Sequence, residues 1–357
     1  MTQRTWPPKS DTPHFTALPF TKKESHQQPK ISARPTKNLT RTRFKDPAAE
    51  TSSSSSSRTH VRNSLKQNQQ QHCDYSSLPY ELLSRIAASF TLPNLKAASL
   101  VCRAWRDALQ PLREAILFLR WGKRFKHGRG GVKPNLNKAL DSFLKGAARG
   151  STLAMVDAGL LYWEMGKKEK GIALYRKAAE LGDPAGQSNL GISYLHDHPP
   201  NYKEAVKWLY KASFAGYARA QYQLALCLHQ GRGLDQNLQE AANWYQQAAE
   251  GGYVRAMYNT SLCYAYGEGL VKSHRLARKW MKRAADRGHS KAQFEYGLGL
   301  FSGGDMMKAV VYLELATRGG ETAATHVKNV ILQQLSTTSR DQAMDLADNW
   351  RALPSSR

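Results

Sequence analysis

The sequence predicts an all-α fold, in which a long array of stacked helix pairs follows a shorter helical segment and a polar N-terminal arm. The first observation is a set of regularly spaced glycines, which divide the second part of the chain into units of 32, 34, 36, 36 and 32 residues. These are Gly150, Gly182, Gly216, Gly252, Gly288 and Gly320. The second observation is that apolar residues between the glycines recur with the period of an α-helix. Repetition at this period is typical of stacked helical arrays, which usually present a surface for binding another molecule.

Residues 1–74 form the first segment and carry 13 Lys/Arg against 5 Asp/Glu. They contain a serine run at residues 52–57, a glutamine run at residues 69–71 and few large apolar side chains. Such a composition buries too little apolar surface to offset the entropy of ordering the chain. We therefore expect a disordered basic arm. Its short basic groups and its Ser/Thr content leave a nuclear address or an organellar transit peptide open.

Residues 75–118 contain three short amphipathic segments. Their apolar residues are Leu82, Leu83 and Ile86, then Leu92 and Leu95, then Leu100, Val101, Trp105 and Leu109. Pro79 suits a first helical turn, and we expect Pro111 to end the third helix. A unit of about 40 residues without a disulfide or metal pattern has a very small core and usually needs a partner.

This segment resembles an F-box, and the whole chain resembles plant-type F-box proteins. The matching residues are Leu78, Pro79, Glu81, Leu82, Leu83, Ile86, Leu95, Val101, Cys102, Arg103, Trp105 and Arg106. The resemblance implies docking to the Skp-type adaptor of an SCF ubiquitin ligase, and through it to the cullin and RING subunits. The adaptor-binding residues that it implies are Leu78, Pro79, Leu82, Leu83, Ile86, Leu92, Leu95, Val101, Cys102 and Trp105. The alternative is a helical cap at the N-terminal end of the array.

Each unit of residues 119–320 predicts a pair of helices. Downstream of each glycine, the residues at positions 5, 8, 9 and 12 share one helix face, as Leu224 and Leu228 do. Upstream of the next glycine a second helix has the same one-sided spacing, as in Trp244 and Ala248. The glycine itself falls just past the second helix, where a left-handed backbone is often required.

These units resemble the Sel-like repeat family, which is related to the tetratricopeptide repeats. The matching features are the Gly-x-x-x-Ala pairs, Leu190-Gly191, the Gly-x-Gly turns as at residues 231–233, and the closing Ala-Ala-x-x-Gly. The resemblance covers residues 119–320, about six helix pairs, with a degenerate repeat, cap and tail over residues 321–357. It implies a right-handed α-solenoid that serves as a protein-interaction scaffold and not as an enzyme. We interpret the Gly-x-Gly turns as helix connections, because no Gly-Lys-Ser/Thr follows them.

The formal net charge of +24 fits a partner that is nucleic acid, an acidic protein or an anionic membrane. The basic residues are dispersed, which argues against nucleic acid as the main partner. No apolar run approaches the roughly 20 residues that span a bilayer, so we expect no membrane insertion. The four cysteines lack metal-ligand spacing, and we expect no metal, no cofactor, and buried thiols at Cys227 and Cys263. A reducing nuclear or cytoplasmic location fits this pattern.

The sixth and seventh residues after each spacing glycine (positions 6 and 7) lie on the first helices and form the candidate target-binding strip. Its residues are Asn189, Tyr222, Gln223, Tyr258, Asn259, Phe294 and Glu295. First helices commonly line the inner surface of a solenoid, where polar side chains flanked by aromatics suit a peptide. The alternative is that position 7 is a structural polar position of the repeat.

Two functions remain open at this point. In the first, the chain is the substrate-recognition subunit of an SCF ligase: the F-box binds the adaptor, the repeats bind the protein to be ubiquitinated, and no catalytic residue belongs to this chain. In the second, it is a non-ligase interaction scaffold or a basic RNA-binding α-repeat protein.

Overall fold

The computed structural model describes residues 79–87 and 90–353, so the predicted arm and Leu78 lie outside the described residues. Every helix or strand assigned in this part of the chain is an α-helix, as the sequence predicts. The described residues fall into two compact units, residues 79–110 and residues 111–353.

The first unit contains two short helices and the start of a long one. These are α1 (Tyr80–Ala87), α2 (Leu92–Ala98) and α3 (Arg103–His127). The expectation that Pro111 ends the third helix is wrong, because α3 continues for another 16 residues. After the proline, Ala115 and Phe118 pack against Gly146 of the next helix. Burial of this apolar face outweighs the one backbone hydrogen bond that a proline removes.

The second unit is a succession of helix pairs. After α3 the helices are α4 (Leu136–Ala148), α5 (Thr152–Glu164), α6 (Lys168–Glu180), α7 (Pro184–Leu195), α8 (Tyr202–Phe214), α9 (Ala218–Gln230), α10 (Leu238–Glu250), α11 (Val254–Tyr266), α12 (His274–Asp286), α13 (Ser290–Ser302), α14 (Met306–Arg318), α15 (Thr322–Gln334) and α16 (Thr337–Asp348). The odd-numbered helices from α5 to α13 are the first helices of their repeats, and the following even-numbered helices are the second. First helices of neighbouring repeats also contact each other directly, α5 with α7 and α7 with α9.

The six spacing glycines end the second helices with a left-handed backbone, at φ between +78° and +88°. The alanine four residues after Gly150, Gly216, Gly252 and Gly288 is fully buried. The alanine pairs that precede the glycines are buried as well, as at Ala248 and Ala249. These small residues let successive helices approach closely, so each repeat completes the core of its neighbour.

The Gly-x-Gly turns connect the two helices of a pair. In the turns at residues 231–233 and 267–269 the second glycine lies against the preceding repeat: a Cβ on Gly233 would stand 2.6 Å from the Tyr202 carbonyl oxygen. Glycine is therefore required there both for its positive φ and for the close approach of two backbones. The structure thus assigns these turns a packing role.

Candidate functional sites

The first candidate site is a set of exposed apolar side chains on residues 79–110, called the apolar face below. The ten predicted adaptor-binding residues differ in exposure. Leu83, Leu92 and Leu95 are buried and form the small core of this unit, whereas Pro79, Leu82, Ile86 and Val101 are exposed. Cys102 and Trp105 are half-buried, and Leu78 lies outside the described residues. The buried residues therefore hold the unit together, and the exposed ones form the surface that a partner could contact.

The turn between α2 and α3 carries the most exposed part of this face. Leu100 and Val101 expose 78% and 64% of their surface. The turn is held in place from both sides: the buried Ser99 hydroxyl donates to the Leu95 carbonyl at 2.6 Å, and Cys102 Sγ accepts from the Trp105 backbone N–H at 3.5 Å. Two adjacent aliphatic side chains thus project from a fixed turn, an arrangement typical of a protein-binding surface.

The second candidate site is the surface formed by the first helices of the repeats. Within the predicted strip, Asn189 and Tyr222 are almost fully buried, and the other residues are half-buried. Asn189 Oδ1 accepts a hydrogen bond at 3.1 Å from Nη1 of Arg219, on the next first helix. Asn259 lies within hydrogen-bonding reach of the Tyr222 and Tyr245 hydroxyls. Position 7 therefore links neighbouring repeats, and a role in binding a target stays a prediction.

Aromatic rings of neighbouring repeats pack against each other along this surface. The Tyr222 and Tyr253 rings lie 5.0 Å apart, and the Tyr258 ring stacks on His289 at 4.7 Å. In both pairs, position 6 of one repeat meets position 1 of the next. Burial raises the pKa of Tyr222 to about 12. The hydroxyls consequently stay neutral at physiological pH, and the rings form a rigid floor to the surface.

Sequence reasoning missed two further positions on the same surface. The first residue after each spacing glycine supplies Tyr253 and His289, and the third residue supplies Arg219, Arg255 and Lys291. The position 7 ladder drew attention because it is polar in every repeat. The residues at positions 1 and 3 change character between repeats, so only an alignment of the units reveals them.

Two ionisable groups near the C-terminal end of this surface have shifted pKa values. Burial, reinforced by the nearby Glu321 and opposed by Lys291, raises the pKa of Glu295 to about 7. Burial, with Arg255 and Lys291 close by, lowers the pKa of His289 to about 4. The neutral His289 ring accepts a hydrogen bond from the Ala292 backbone N–H at 3.2 Å and caps α13. Both shifts originate in the packing of one repeat on the next.

The cysteines in the repeats are free and buried, as the sequence predicts. Burial raises the pKa of Cys227 to about 11 and that of Cys263 to about 12. Thiols in this state are poor nucleophiles and poor metal ligands at neutral pH. In the described part of the chain, no group of three or more His, Cys, Asp and Glu residues is placed to hold a metal ion. The helices described by the structure include none with the length and apolar character needed to cross a membrane.

Comparison with known proteins matches both units. The F-box domain model matches residues 75–114, and the Sel1 repeat model matches residues 119–151, 165–183, 184–217, 218–253, 254–289 and 290–321. An F-box protein of Arabidopsis thaliana is 61% identical over 361 residues, covering 100% of both chains.

Solved structures agree with the repeat fold. A Sel1 repeat protein from Oxalobacter formigenes has a TM-score of 0.55 at 25% identity, covering 72% of this chain and 80% of that one. A protective antigen of uropathogenic Escherichia coli with an SLR fold has a TM-score of 0.58 at 22% identity. That match covers 76% of this chain and 63% of the antigen, less than two thirds of its length.

Proposed function

Because this chain belongs to the F-box proteins that carry Sel1 repeats, we propose that it is the substrate-recognition subunit of an SCF ubiquitin ligase. The observation that carries this proposal is the exposed apolar face of residues 79–110, where Leu82, Ile86, Leu100 and Val101 are all at least 45% exposed. At about 25 cal/mol per Å² of apolar surface, covering such a face with a partner is strongly favourable.

In this role the F-box unit docks the Skp-type adaptor, which connects the chain to the cullin and RING subunits. The repeats bind the protein to be ubiquitinated. Their contribution is proximity: a target held on the ligase meets the ubiquitin-loaded enzyme at a high effective concentration. Bond formation itself is assigned to the other subunits, and the buried, neutral thiols of Cys227 and Cys263 support a non-catalytic role.

Co-purification with a Skp-type adaptor tests the docking step. We expect the full-length chain to bind the adaptor, and Leu100→Asp with Val101→Asp to weaken binding at least 100-fold, because each substitution places a charge in an apolar interface. Leu181→Asp with Val271→Asp is the matched control, since these repeat residues are similarly exposed, at 61% and 89%. Failure of the unmodified chain to bind any such adaptor would contradict the proposal, as would equal loss in both double variants.

A second experiment tests the ligase role. Proximity labelling under cullin inhibition should enrich the target proteins. Without the inhibitor, these proteins should carry less ubiquitin when the adaptor-binding face is disrupted by Leu82→Ala with Trp105→Ala. Labelled proteins whose ubiquitination is the same with the intact and the disrupted face would favour a scaffold outside a ligase.

We also propose that the protein acts in the nucleus, the cytoplasm or both. The free thiols of Cys227 and Cys263 support a reducing compartment. Imaging of the full chain fused to a fluorescent protein tests this, and accumulation in mitochondria, in plastids or in the secretory pathway would contradict it.

A further inference from the structure

Three consecutive repeats share the same pattern of residues at three positions on the first-helix surface. In the units that follow Gly216, Gly252 and Gly288, the third residue is cationic, and the first and sixth are aromatic or histidine. These residues are Arg219, Arg255 and Lys291 at the third position, Tyr217, Tyr253 and His289 at the first, and Tyr222, Tyr258 and Phe294 at the sixth. The flanking units have neutral residues at the third position: Leu153, Ala185 and Ala323. We call the nine residues of the three central repeats the cationic ladder.

The cations of the ladder occupy one continuous surface. Arg219 is held by its hydrogen bond to Asn189 on the preceding first helix. Arg255 lies near both Tyr222 and His289, and Lys291 also lies near His289. Because the Tyr222–Tyr253 and Tyr258–His289 ring pairs join the repeats, the three cations stand in a row on a packed aromatic floor.

The Arg219 and Lys291 side chains retain capacity for a ligand. Within residues 79–87 and 90–353, no carboxylate lies within ion-pair distance of either. The Arg219 guanidinium has five N–H donors, of which one is used by Asn189. A guanidinium that is half-buried, oriented and not neutralised is well suited to bind a carboxylate.

A carboxylate flanks the ladder at each end. Asp183 stands at the first position of the preceding unit, and Glu321 at the same position of the following one. Glu295 lies beside Glu321 at this second end. The surface is therefore attractive to anions only across three repeats. Packed helices generally lie about 8–10 Å apart and an extended chain advances about 3.3 Å per residue; at that spacing, three repeats match about nine residues.

We propose that the cationic ladder binds an extended acidic segment of the target protein, with Asp or Glu at every third residue facing Arg219, Arg255 and Lys291. This inference rests on the proposed function and names the class of segment that the repeats recognise. A single-stranded nucleic acid fits less well. Its bases need open ring faces for stacking, whereas these rings pack on each other, and its phosphates would continue past the ladder toward Asp183 and Glu321.

Fluorescence anisotropy with labelled nine-residue peptides tests the proposal on the full-length chain. Three copies of Gly-Ser-Glu should bind at least tenfold more tightly than three copies of Gly-Ser-Gln or Gly-Ser-Lys. A peptide of the same composition with its three glutamates adjacent should bind more weakly, because only one or two of them reach a cation.

Charge reversal on the ladder is the second test of the proposal. Arg219→Glu with Arg255→Glu should weaken binding of the Gly-Ser-Glu peptide at least tenfold. Arg275→Glu with Lys279→Glu, on the exposed side of α12, makes the same change in net charge and should alter binding less than twofold. Lys291→Glu is a third variant, chosen because Lys291 is exposed and is expected to leave folding intact; it should weaken binding severalfold at an unchanged melting temperature.

The proposal would be overturned by equal binding of the Glu and Gln peptides, or by equal losses in the ladder and α12 variants. A nonameric oligouridylate that binds more tightly than the Glu peptide and depends on the same arginines would overturn it as well. Binding that appears only when phosphoserine replaces glutamate would also overturn it. If any of these occurs while the adaptor still co-purifies, only the assignment of the segment fails and the proposed ligase role stands.

Discussion

The two units of this protein cover neighbouring aliphatic side chains to different extents. In the repeats, Leu224 and Leu228 are at most 1% exposed, because their helix α9 packs between α8 of the preceding repeat and α10 of its own. In residues 79–110, Leu100 and Val101 are mostly exposed. Both units are helical, so the difference does not come from secondary structure. It comes from neighbours: each inner repeat packs on another repeat at both ends, while the F-box unit presents one apolar face to whatever lies outside it.

This comparison explains why one chain combines the two. A stacked array is stabilised by its own interfaces and can vary the residues on its surface. A unit of about 30 described residues buries little apolar area, so it gains most from a partner that covers it. The array is thus suited to recognition, and the small unit to obligatory docking.

The largest effect is expected from truncating a leucine in each unit. Leu224→Ala removes a fully buried side chain from the core of the repeats and should lower the free energy of unfolding by about 3 kcal/mol. Leu100→Ala should change it by less than about 0.5 kcal/mol, because this side chain is already in water. Chemical denaturation of the full chain measures both. Equal losses would show that the contrast between the units is wrong.

A smaller difference between paired variants is expected for two glycines that share a positive φ. Gly269→Ala should cost about 3 kcal/mol, since its Cβ would overlap the Leu238 carbonyl oxygen of the preceding repeat as well as strain the backbone. Gly216→Ala meets no atom within 4 Å and should cost only the backbone term, about 1 kcal/mol. Thermal unfolding of the two variants separates the cost of the steric overlap between repeats from the cost of backbone strain alone. Similar melting temperatures would contradict the close approach at Gly269.

The carboxylate of Glu295 should make the repeats less stable at alkaline pH. Its folded pKa of about 7 lies above the ordinary 4.5, so the folded state keeps a proton that the unfolded state loses. Stability contributed by the protonated form is therefore present below about pH 4.5 and is lost as the pH rises through 7. Glu295→Gln should stabilise the protein by about 1 kcal/mol at pH 8, allowing for the part of the carboxylate that stays in water, and little at pH 4.5. A gain of the same size at both pH values would contradict the shift.

His289 should have the opposite pH dependence and a smaller effect. Its folded pKa of about 4 lies below the ordinary 6.5, so stability is complete above about pH 6.5 and is lost as the pH falls toward 4. His289→Asn keeps a helix-capping side chain that cannot gain a proton. The variant should therefore lose less stability than the unmodified protein as the pH falls. Parallel melting curves from pH 7.5 to 5 for the two proteins would contradict the assignment.

Much of the fold could be predicted from the sequence because it depends on residues that each indicate one kind of local structure. The spacing glycines indicate left-handed helix ends, and the adjacent Ala248 and Ala249 indicate close helix contacts. Pro111 was misjudged because its local preference for ending a helix was outweighed by packing at Ala115 and Phe118, which a local rule does not include.

The sites were predicted less completely. The F-box residues were identified together, but sequence alone did not separate buried Leu83 and Leu95 from exposed Leu82 and Val101. Along the repeats, position 7 drew attention because it is polar, although Asn189 proves to be a buried partner of Arg219. The cations were missed because a lone arginine on a helix is normally a solvated residue, and only its contacts across repeats distinguish Arg219.

Hydrogen exchange of the full-length chain with and without the Skp-type adaptor tests the central claim most directly. The adaptor should slow exchange in α1, α2 and the turn at Leu100 and Val101, and leave α5 to α14 unchanged, because the repeats are already completed by their neighbours. Unchanged exchange at this turn in the presence of bound adaptor, or protection confined to the repeats, would contradict the account.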